Sequence, residues 1–279
     1  MMYFDFHTHA FPDSLSGRAM SSLTHTAEIS ERAEIRNISP CTDGTLDGLE
    51  SLMKKYGINK SMILPIATKP SQQTAINNWA SQVMSDNIYC CGSVHPYADD
   101  IFQELERIKL LGLCGIKFHS EYQHFRPNEK RMIPVYKKIA ELGLFVVFHG
   151  GWDPLSDREI LASPKSFADV AEKIPELTII AAHMGGMFMF DDVEKYIAGK
   201  FENIYLDTAI LSGCISKEQM VRIIKIHGVD NVLFGSDAPW DNPENEIDLI
   251  SSLPLSYEEK ELIFYKNAER LLKKGKKYG

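Results

Sequence analysis

Eight short apolar runs recur along the chain, and stretches of mixed apolar and polar residues separate them. The runs are MMYFDFHTH, KSMILPI, IYCCGSVH, LCGIKFH, LFVVFH, LTIIAAH, NIYLDTA and NVLFGSD. Their β-branched and aromatic content is typical of buried strands. In the intervening stretches, such as IFQELERIKLLG and KEQMVRIIKIHG, apolar residues recur at helical spacing. Strands that alternate with helices in this way predict a parallel sheet covered by helices.

The spacing of the runs predicts how many strand–helix units the chain contains. The runs end near residues 9, 65, 94, 119, 149, 183, 207 and 237, so after a first interval of 56 the intervals are 24 to 34 residues. One strand–helix–strand unit takes about 30 residues. Eight units predict a single domain over residues 1–279, folded as a closed (β/α)8 TIM barrel. An open doubly wound sheet is the alternative, but the chain has neither GxGxxG nor GxxxxGK[ST].

The long first interval contains an insertion at residues 11–42, FPDSLSGRAMSSLTHTAEISERAEIRNISPCT, which is polar and only partly helical in pattern. It begins directly after the first strand, at the face where barrel enzymes carry their active sites. We therefore expect a lid or an entrance wall, and a disordered insertion is the alternative.

Composition excludes several classes of protein. With 44% hydrophobic residues the chain can bury a sizeable core, and a net charge of −8 with pI near 5.6 argues against non-specific nucleic-acid binding. No apolar run reaches the roughly 20 residues of a membrane span, and the N-terminus lacks a signal-peptide pattern. Five scattered cysteines without paired-thiol zinc spacing suit free thiols in a reducing cytoplasm. A homodimer is the ordinary expectation for such a barrel.

Histidines cluster at the predicted strand ends. Six of the nine fall there, namely His7, His9, His95, His119, His149 and His183. His7 and His9 are two residues apart and so share one strand face. Asp237 ends strand eight, which neighbours strand one in a closed barrel, and His149 reaches in from strand five. Three imidazoles and one carboxylate suit Zn²⁺ or another divalent transition metal such as Mn²⁺.

Four of these strand ends also carry a family resemblance. The motifs DFHTH, VVFHGG, AAHMGG and LFGSDAPW resemble the amidohydrolase superfamily, and more narrowly the amidohydrolase-2 group. That group includes aminocarboxymuconate-semialdehyde decarboxylase and related decarboxylases and hydrolases. The resemblance implies one divalent metal ion, with zinc favoured, held by four residues: His7, His9, His149 and Asp237. It further implies that His183 polarises or protonates the substrate and orients the metal-bound water.

Five further residues are predicted to bind substrate. Binuclear members of the superfamily use a carboxylated lysine on strand four as a metal bridge, but at Lys117 we expect a substrate-binding or interior role. His119 faces the same way as Lys117, and the Arg126 guanidinium could hold a substrate carboxylate through two hydrogen bonds. Trp152 and Trp240 each lie three residues beyond a proposed ligand. They are predicted as pocket walls, with ordinary packing as the alternative.

The expected function is metal-dependent hydrolysis of a C–N or C–O bond, in an amide, ester or lactone of a small carboxylate-bearing substrate. A metal-activated water would attack, and Asp237 would accept its proton and pass it to the leaving group. Non-oxidative decarboxylation of a small unsaturated or aromatic acid is the alternative within the family. A Schiff-base aldolase using Lys117 and a barrel without activity are the alternatives from other classes.

Overall fold

Eight parallel strands form the centre of the molecule. The computed structural model describes residues 1–29, 39–153, 155–156 and 159–275. The strands are β1 Phe4–Thr8, β2 Lys60–Ile63, β3 Ile88–Cys90, β4 Gly115–Phe118, β5 Phe145–Phe148, β6 Ile179–Ala181, β7 Ile204–Asp207 and β8 Val232–Leu233. They pair in sequence order, as one group from β1 to β3 and one from β4 to β8.

Backbone hydrogen bonds close the two groups of strands into a barrel. Between β3 and β4, Lys117 N donates to Gly92 O at 2.8 Å. Between β8 and β1, Phe6 N donates to Phe234 O and Asp237 N donates to His7 O, both at 2.8 Å. The second of these bonds fixes one predicted site residue directly against another. The (β/α)8 barrel predicted from the spacing of the runs is therefore confirmed.

Helices follow the strands around the outside of the barrel. They are α1 Asp13–Ile29, α2 Leu46–Tyr56, α3 Gln73–Val83, α4 Ile101–Leu110, α5 Ser120–Gln123, α6 Ile133–Glu141, α7 Pro164–Lys173, α8 Phe190–Tyr196, α9 Lys217–His227, α10 Pro243–Ser252, α11 Tyr257–Glu261 and α12 Asn267–Gly275. Short 3-10 turns span Pro70–Gln72, Lys130–Met132 and Val229–Asn231, and a π-helical segment spans Leu262–Lys266.

Local sequence signals set these helices. In α2, Thr45 accepts a hydrogen bond from Gly48 N as N-cap, and Gly57 ends the helix with φ 66°. Leu49, Leu52 and Met53 are the buried residues between these ends, at the spacing of one helix face. The helix therefore lies with one apolar face on the barrel.

Two apolar layers hold the barrel together. The interior layer contains alternate strand residues, including Phe4, Phe6, Phe145, Val147 and Ile180. The outer layer contains the strand residues between them, packed against the helices. Because the interior is filled with side chains, a cavity can form only beyond the strand ends.

The insertion predicted at residues 11–42 is helical over α1 in its first part. Residues 30–38 lie outside the described part of the chain. None of the helices in the described ranges is long and apolar enough to cross a membrane.

Candidate active site

A cavity of about 790 Å³ opens at the carboxyl ends of the strands. Its floor carries the predicted metal ligands and His183, together with Lys117 and His119. Leu15, Ala19 and Leu23, which follow one another at four-residue spacing along α1, line one wall. The part of the insertion that the structure describes as α1 therefore lies along the cavity.

His7, His9 and Asp237 converge at the floor. His7 Nε2 lies 3.4 Å from Asp237 Oδ1, and His9 Nε2 lies 3.1 Å from the same oxygen. All three side chains are nearly or fully buried, the most exposed at 11% of their side-chain surface. Asp237 has φ 68°, so its backbone takes the left-handed conformation at this point of the loop after β8.

A change of strand register aims the two histidines of β1. Phe4 and Phe6 face the barrel interior, so in a regular strand the odd-numbered residues would face outward. His7 and His9 nevertheless line the cavity. The pairing of β1 with β2 is irregular between Asp5 and Thr8. An irregularity of this kind turns the following side chains to a different direction.

The orientation of both rings follows from their Nδ1 partners. His7 Nδ1 lies 2.8 Å from Asp207 Oδ2, and His9 Nδ1 lies 2.9 Å from the backbone oxygen of Leu64. Both partners are acceptors, so in each neutral ring Nδ1 carries the hydrogen and Nε2 presents a lone pair. Histidines that ligate metals are held in this way by a carboxylate or a carbonyl.

The floor therefore holds acceptor atoms that face one another. The lone pairs of His7 and His9 meet Asp237 Oδ1, which is buried and has no hydrogen-bond partner among the described residues. Burial raises the pKa of Asp237, but positive charge on the facing His7 and a hydrogen bond from His9 would outweigh it, so a cation at this point holds that pKa below its ordinary value. Burial also lowers the pKa of His7 well below its usual range. With neutral rings, the nitrogen lone pairs and the carboxylate oxygen repel one another at these distances, and a cation shared between them would remove that repulsion.

Lys117 lies directly beside this cluster. Its Nζ lies 3.3 Å from His7 Nε2, and its side chain is 1% exposed. Burial lowers its pKa, while Asp237 and Asp207 act in the opposite direction. Lys117 therefore lines the floor, in the place expected from its position on β4.

His183 and His149 form a second hydrogen-bonded unit beside the first. His183 Nδ1 lies 3.0 Å from the backbone oxygen of Ala209, so it carries a hydrogen. His183 Nε2 lies 3.0 Å from His149 Nδ1. In the neutral pair His149 Nδ1 donates to His183, which leaves His149 Nε2 with a lone pair, buried and unpartnered in the described structure. Burial lowers the pKa of His149 well below its ordinary value.

His149 is also part of a second polar group on the floor. Its ring stacks on that of His119 with centroids 4.3 Å apart, and His119 Nε2 lies 3.5 Å from Asp153 Oδ2. Within the described residues, two sets of potential ligand atoms lie within 4.8 Å of one another: His7, His183 and Asp237, and His119, His149 and Asp153. Of the four predicted ligands, three are in direct contact, and His149 joins them through His183.

Two of the five predicted substrate-binding residues lie elsewhere. Lys117, His119 and Trp240 line the cavity, whereas Arg126 and Trp152 are not among its lining residues. Arg126 pairs with Glu159 at 2.6 Å, both side chains being largely exposed. Trp152 packs edge-on against Phe188, with ring centroids 6.1 Å apart. The sequence pattern predicted that Arg126 lies in the loop after β4, but it could not predict the direction of the Arg126 side chain.

Three site residues were not anticipated from the sequence. Asp207 orients His7, Asp153 faces His119, and Tyr122 stacks on His119 with centroids 3.8 Å apart. Asp207 could have been found, because it ends the seventh predicted run, NIYLDTA. Asp153 follows the strand-five motif in HGGWD, and only the loop geometry brings it to the floor.

Comparisons with known proteins agree with this architecture. The sequence model of the amidohydrolase family matches residues 4–274. No protein of curated function matches the chain. An uncharacterised TIM-barrel protein of Bordetella bronchiseptica is similar in structure, with a TM-score of 0.76, 16% identity, and coverage of 99% of this chain and all of that one.

Two further solved structures that resemble this chain are described as enzymes, one as a decarboxylase and one as a probable hydrolase. The 5-carboxyvanillate decarboxylase of Sphingomonas paucimobilis has a TM-score of 0.68 and 16% identity, with 98% of both chains covered. A probable 2-pyrone-4,6-dicarboxylic acid hydrolase of Acinetobacter baumannii has a TM-score of 0.68 and 15% identity, covering 98% of this chain and all of that one. At these identities the likeness shows the fold alone.

Proposed function

Since the chain belongs to the amidohydrolase family, which its sequence matches over residues 4–274, we propose that it is a metal-dependent hydrolase. The substrate is a small carboxylate-bearing amide, ester or lactone. The proposal rests on one observation: His7 Nε2 and His9 Nε2 both face Asp237 Oδ1, which has no hydrogen-bond partner among the described residues. This buried cluster of acceptors fits a divalent cation, and nitrogen with carboxylate donors suits zinc or manganese.

His7, His9 and Asp237 would hold the metal ion, and His149, the fourth ligand that the family resemblance implies, contacts this group through His183. When bound, such an ion acts as a Lewis acid and lowers the pKa of water towards neutrality. The chain supplies the remaining functions. Asp207 and the Leu64 carbonyl keep the ligating rings in one orientation, so that the donor atoms are in place before any ligand arrives.

Proton transfer falls to Asp237 and His183. Asp237 is ionised and has a second carboxylate oxygen, so it accepts a proton from the attacking water and delivers it to the leaving group. His183 faces the same floor and is fixed by the Ala209 carbonyl through Nδ1. With a proton on Nε2 and His149 turned away from it, His183 would donate a hydrogen bond to the oxygen on which charge develops. Walls such as Phe11, Leu64 and Trp240 exclude bulk water around the reacting group.

Decarboxylation is the second candidate, because one structural neighbour is a decarboxylase of an aromatic acid. The apolar walls of the cavity suit an aromatic body equally well. In this reaction His183 would protonate the carbon that loses carbon dioxide. The same donors would hold the metal, so the reactions differ in the bond that breaks.

The test begins with elemental analysis of protein purified without added metal, beside the double variant His7→Ala/His9→Ala. We expect about one equivalent of zinc or manganese in the wild type and loss of the metal in the variant. The loaded protein is then assayed for hydrolysis of lactones, esters and amides, and for carbon dioxide release from aromatic acids. Equal metal content in both proteins, or none in either after reconstitution, contradicts the proposal.

A further inference from the structure

The open end of the cavity carries two cationic side chains. Arg18 of α1 and Lys69, which precedes the 3-10 turn Pro70–Gln72, are both exposed and both line the cavity. The other charged lining residues, Lys117, Asp153 and Asp237, are buried. The rim of the cavity is therefore cationic, although the whole chain has a net charge of −8.

Neither rim cation forms an ion pair with a carboxylate in the part of the chain that the structure describes. Other exposed cations of this protein do so: Arg126 pairs with Glu159 at 2.6 Å, and Lys165 with Asp169 at 2.8 Å. In an acidic protein, two such cations beside this cavity can bind an anion from solution. A charged, low-dielectric cleft also attracts ligands of the opposite sign.

The wall between rim and floor is apolar. It is lined by Phe11, Leu64, Ile76, Trp79 and Trp240, among others. A ligand that fills the cavity thus meets cations at the rim, apolar side chains along its length and the histidine cluster at the floor. This order of surfaces matches an organic acid with an apolar body, whose carboxylate is remote from the reacting group.

We propose that Arg18 and Lys69 bind the remote carboxylate of the substrate and thereby restrict the enzyme to apolar-bodied acids. This inference rests on the proposed function, since it names the substrate class of the same site. A guanidinium binds a carboxylate through two parallel hydrogen bonds, and a lysine adds a mobile point charge. The role expected for Arg126 is thus filled from α1, and the insertion brings a recognition side chain to the entrance.

The experiment measures binding rather than turnover. Isothermal titration calorimetry on the protein as purified uses straight-chain dicarboxylates from succinate to sebacate, each compared with the monocarboxylate of equal chain length. We expect one dicarboxylate length to bind about tenfold more tightly than its monocarboxylate. Arg18→Met and Lys69→Met should each remove most of this preference, and Arg18→Lys should keep part of it.

The matched control is Arg126→Met, which removes an exposed arginine outside the cavity and should leave the preference unchanged. Equal affinity of dicarboxylate and monocarboxylate at every length overturns the inference, as does an unchanged preference in both methionine variants. Metal content, measured on the same samples, separates the two proposals. A metal-free protein that still prefers dicarboxylates contradicts the proposed function and supports the rim site. A metal-loaded, hydrolytically active protein without the preference for dicarboxylates supports the proposed function and contradicts the rim site.

Discussion

The buried carboxylate of Asp207 holds His7 in one orientation, because its Oδ2 accepts a hydrogen bond of 2.8 Å from His7 Nδ1. Its Oδ1 accepts the backbone N–H groups of His183 and Ala209 at 2.8 and 3.1 Å. One side chain at the end of β7 thus joins a proposed metal ligand to the loop that carries the proposed proton donor. It does so without facing the cavity itself.

Asp207→Asn should weaken metal binding by about 10- to 100-fold, the usual effect of losing such a partner. Both oxygens of Asp207 accept hydrogen bonds, whereas the asparagine side chain has one oxygen and one NH₂ group. The NH₂ group must face either the N–H of His7 Nδ1 or the backbone N–H groups of His183 and Ala209, so the hydrogen bonds on that side are lost. Competition with a metal chelator measures the affinity. Asp230→Asn, which alters an exposed partner of Arg270, is the control and should bind metal as the wild type does. Equal chelator curves for Asp207→Asn and the wild type would contradict this role.

His183→Gln should lower kcat by about 10²- to 10³-fold while metal content stays at the wild-type level. Glutamine keeps hydrogen-bonding capacity but cannot exchange a proton as imidazole does. Turnover is measured with the substrate identified among the lactones, esters, amides and aromatic acids assayed above, and metal content is measured on the same sample. His95→Gln is the control, since His95 is also a buried histidine beyond a strand end but is not among the cavity-lining residues. Loss of metal in His183→Gln would instead make His183 a ligand.

Lys117 should form no Schiff base. Its Nζ lies 3.3 Å from His7 Nε2 and is deeply buried, so we expect it to support the floor. Mass spectrometry after borohydride treatment, with pyruvate and benzaldehyde as carbonyl probes, should show no adduct on the peptide that contains Lys117. Lys117→Met identifies adducts at other lysines. An adduct present in the wild type and absent in this variant would favour aldolase chemistry.

Much of this fold could be predicted because its signal is local. Each strand is a short apolar run, and the roughly 30-residue interval fixes the barrel without knowledge of any distant contact. The candidate site residues could be predicted for the same reason, since barrel strands end at one face. His7, His149 and Lys117 lie on or directly after strands, and all three line the cavity.

The remaining features depend on contacts between residues that are far apart in sequence. Asp207 is 200 positions from His7, and Glu159 is 33 positions from Arg126. Only the folded chain shows that Asp207 orients the ring of His7 at the floor. Likewise, only the folded chain shows that Glu159 holds the Arg126 guanidinium away from the cavity. The direction of a loop side chain is set by such partners and not by its own neighbours. The position of Arg18 beside the cavity was not predicted, because the insertion has only a weak helical pattern.

The side of the barrel opposite the cavity offers a test of stability. Lys60 Nζ contacts Glu269 and lies 5.9, 5.4 and 5.8 Å from the ring centroids of Phe4, Tyr89 and Tyr265. Lys60→Met should lower the free energy of unfolding by about 1 to 2 kcal/mol, because the ion pair and the cation–π contacts are partly shielded from water. Urea denaturation measures the change. Lys266→Met, which removes an exposed ion pair with Glu261, should stay within about 0.5 kcal/mol. Equal losses in the two variants would contradict a special contribution from the rings.

His227 should make stability depend on pH. It is 7% exposed, its Nε2 lies 3.0 Å from the Ile204 carbonyl, and its Nδ1 is buried without a partner in the described chain. Burial lowers the pKa of His227 below 6.5, although the bond to Ile204 acts in the opposite direction. Below that pH the unfolded chain binds the proton more readily than the folded chain does. The contribution of neutral His227 is therefore present above the unfolded pKa and is lost as pH falls through the folded pKa.

His227→Gln keeps a donor for Ile204 but cannot be protonated. Urea denaturation from pH 5 to pH 8 should show that the wild type loses stability relative to this variant as the pH falls. A difference between wild type and His227→Gln that is constant over the whole range would mean that His227 has the same pKa in the folded and unfolded chains. Burial of its ring would then carry no electrostatic cost.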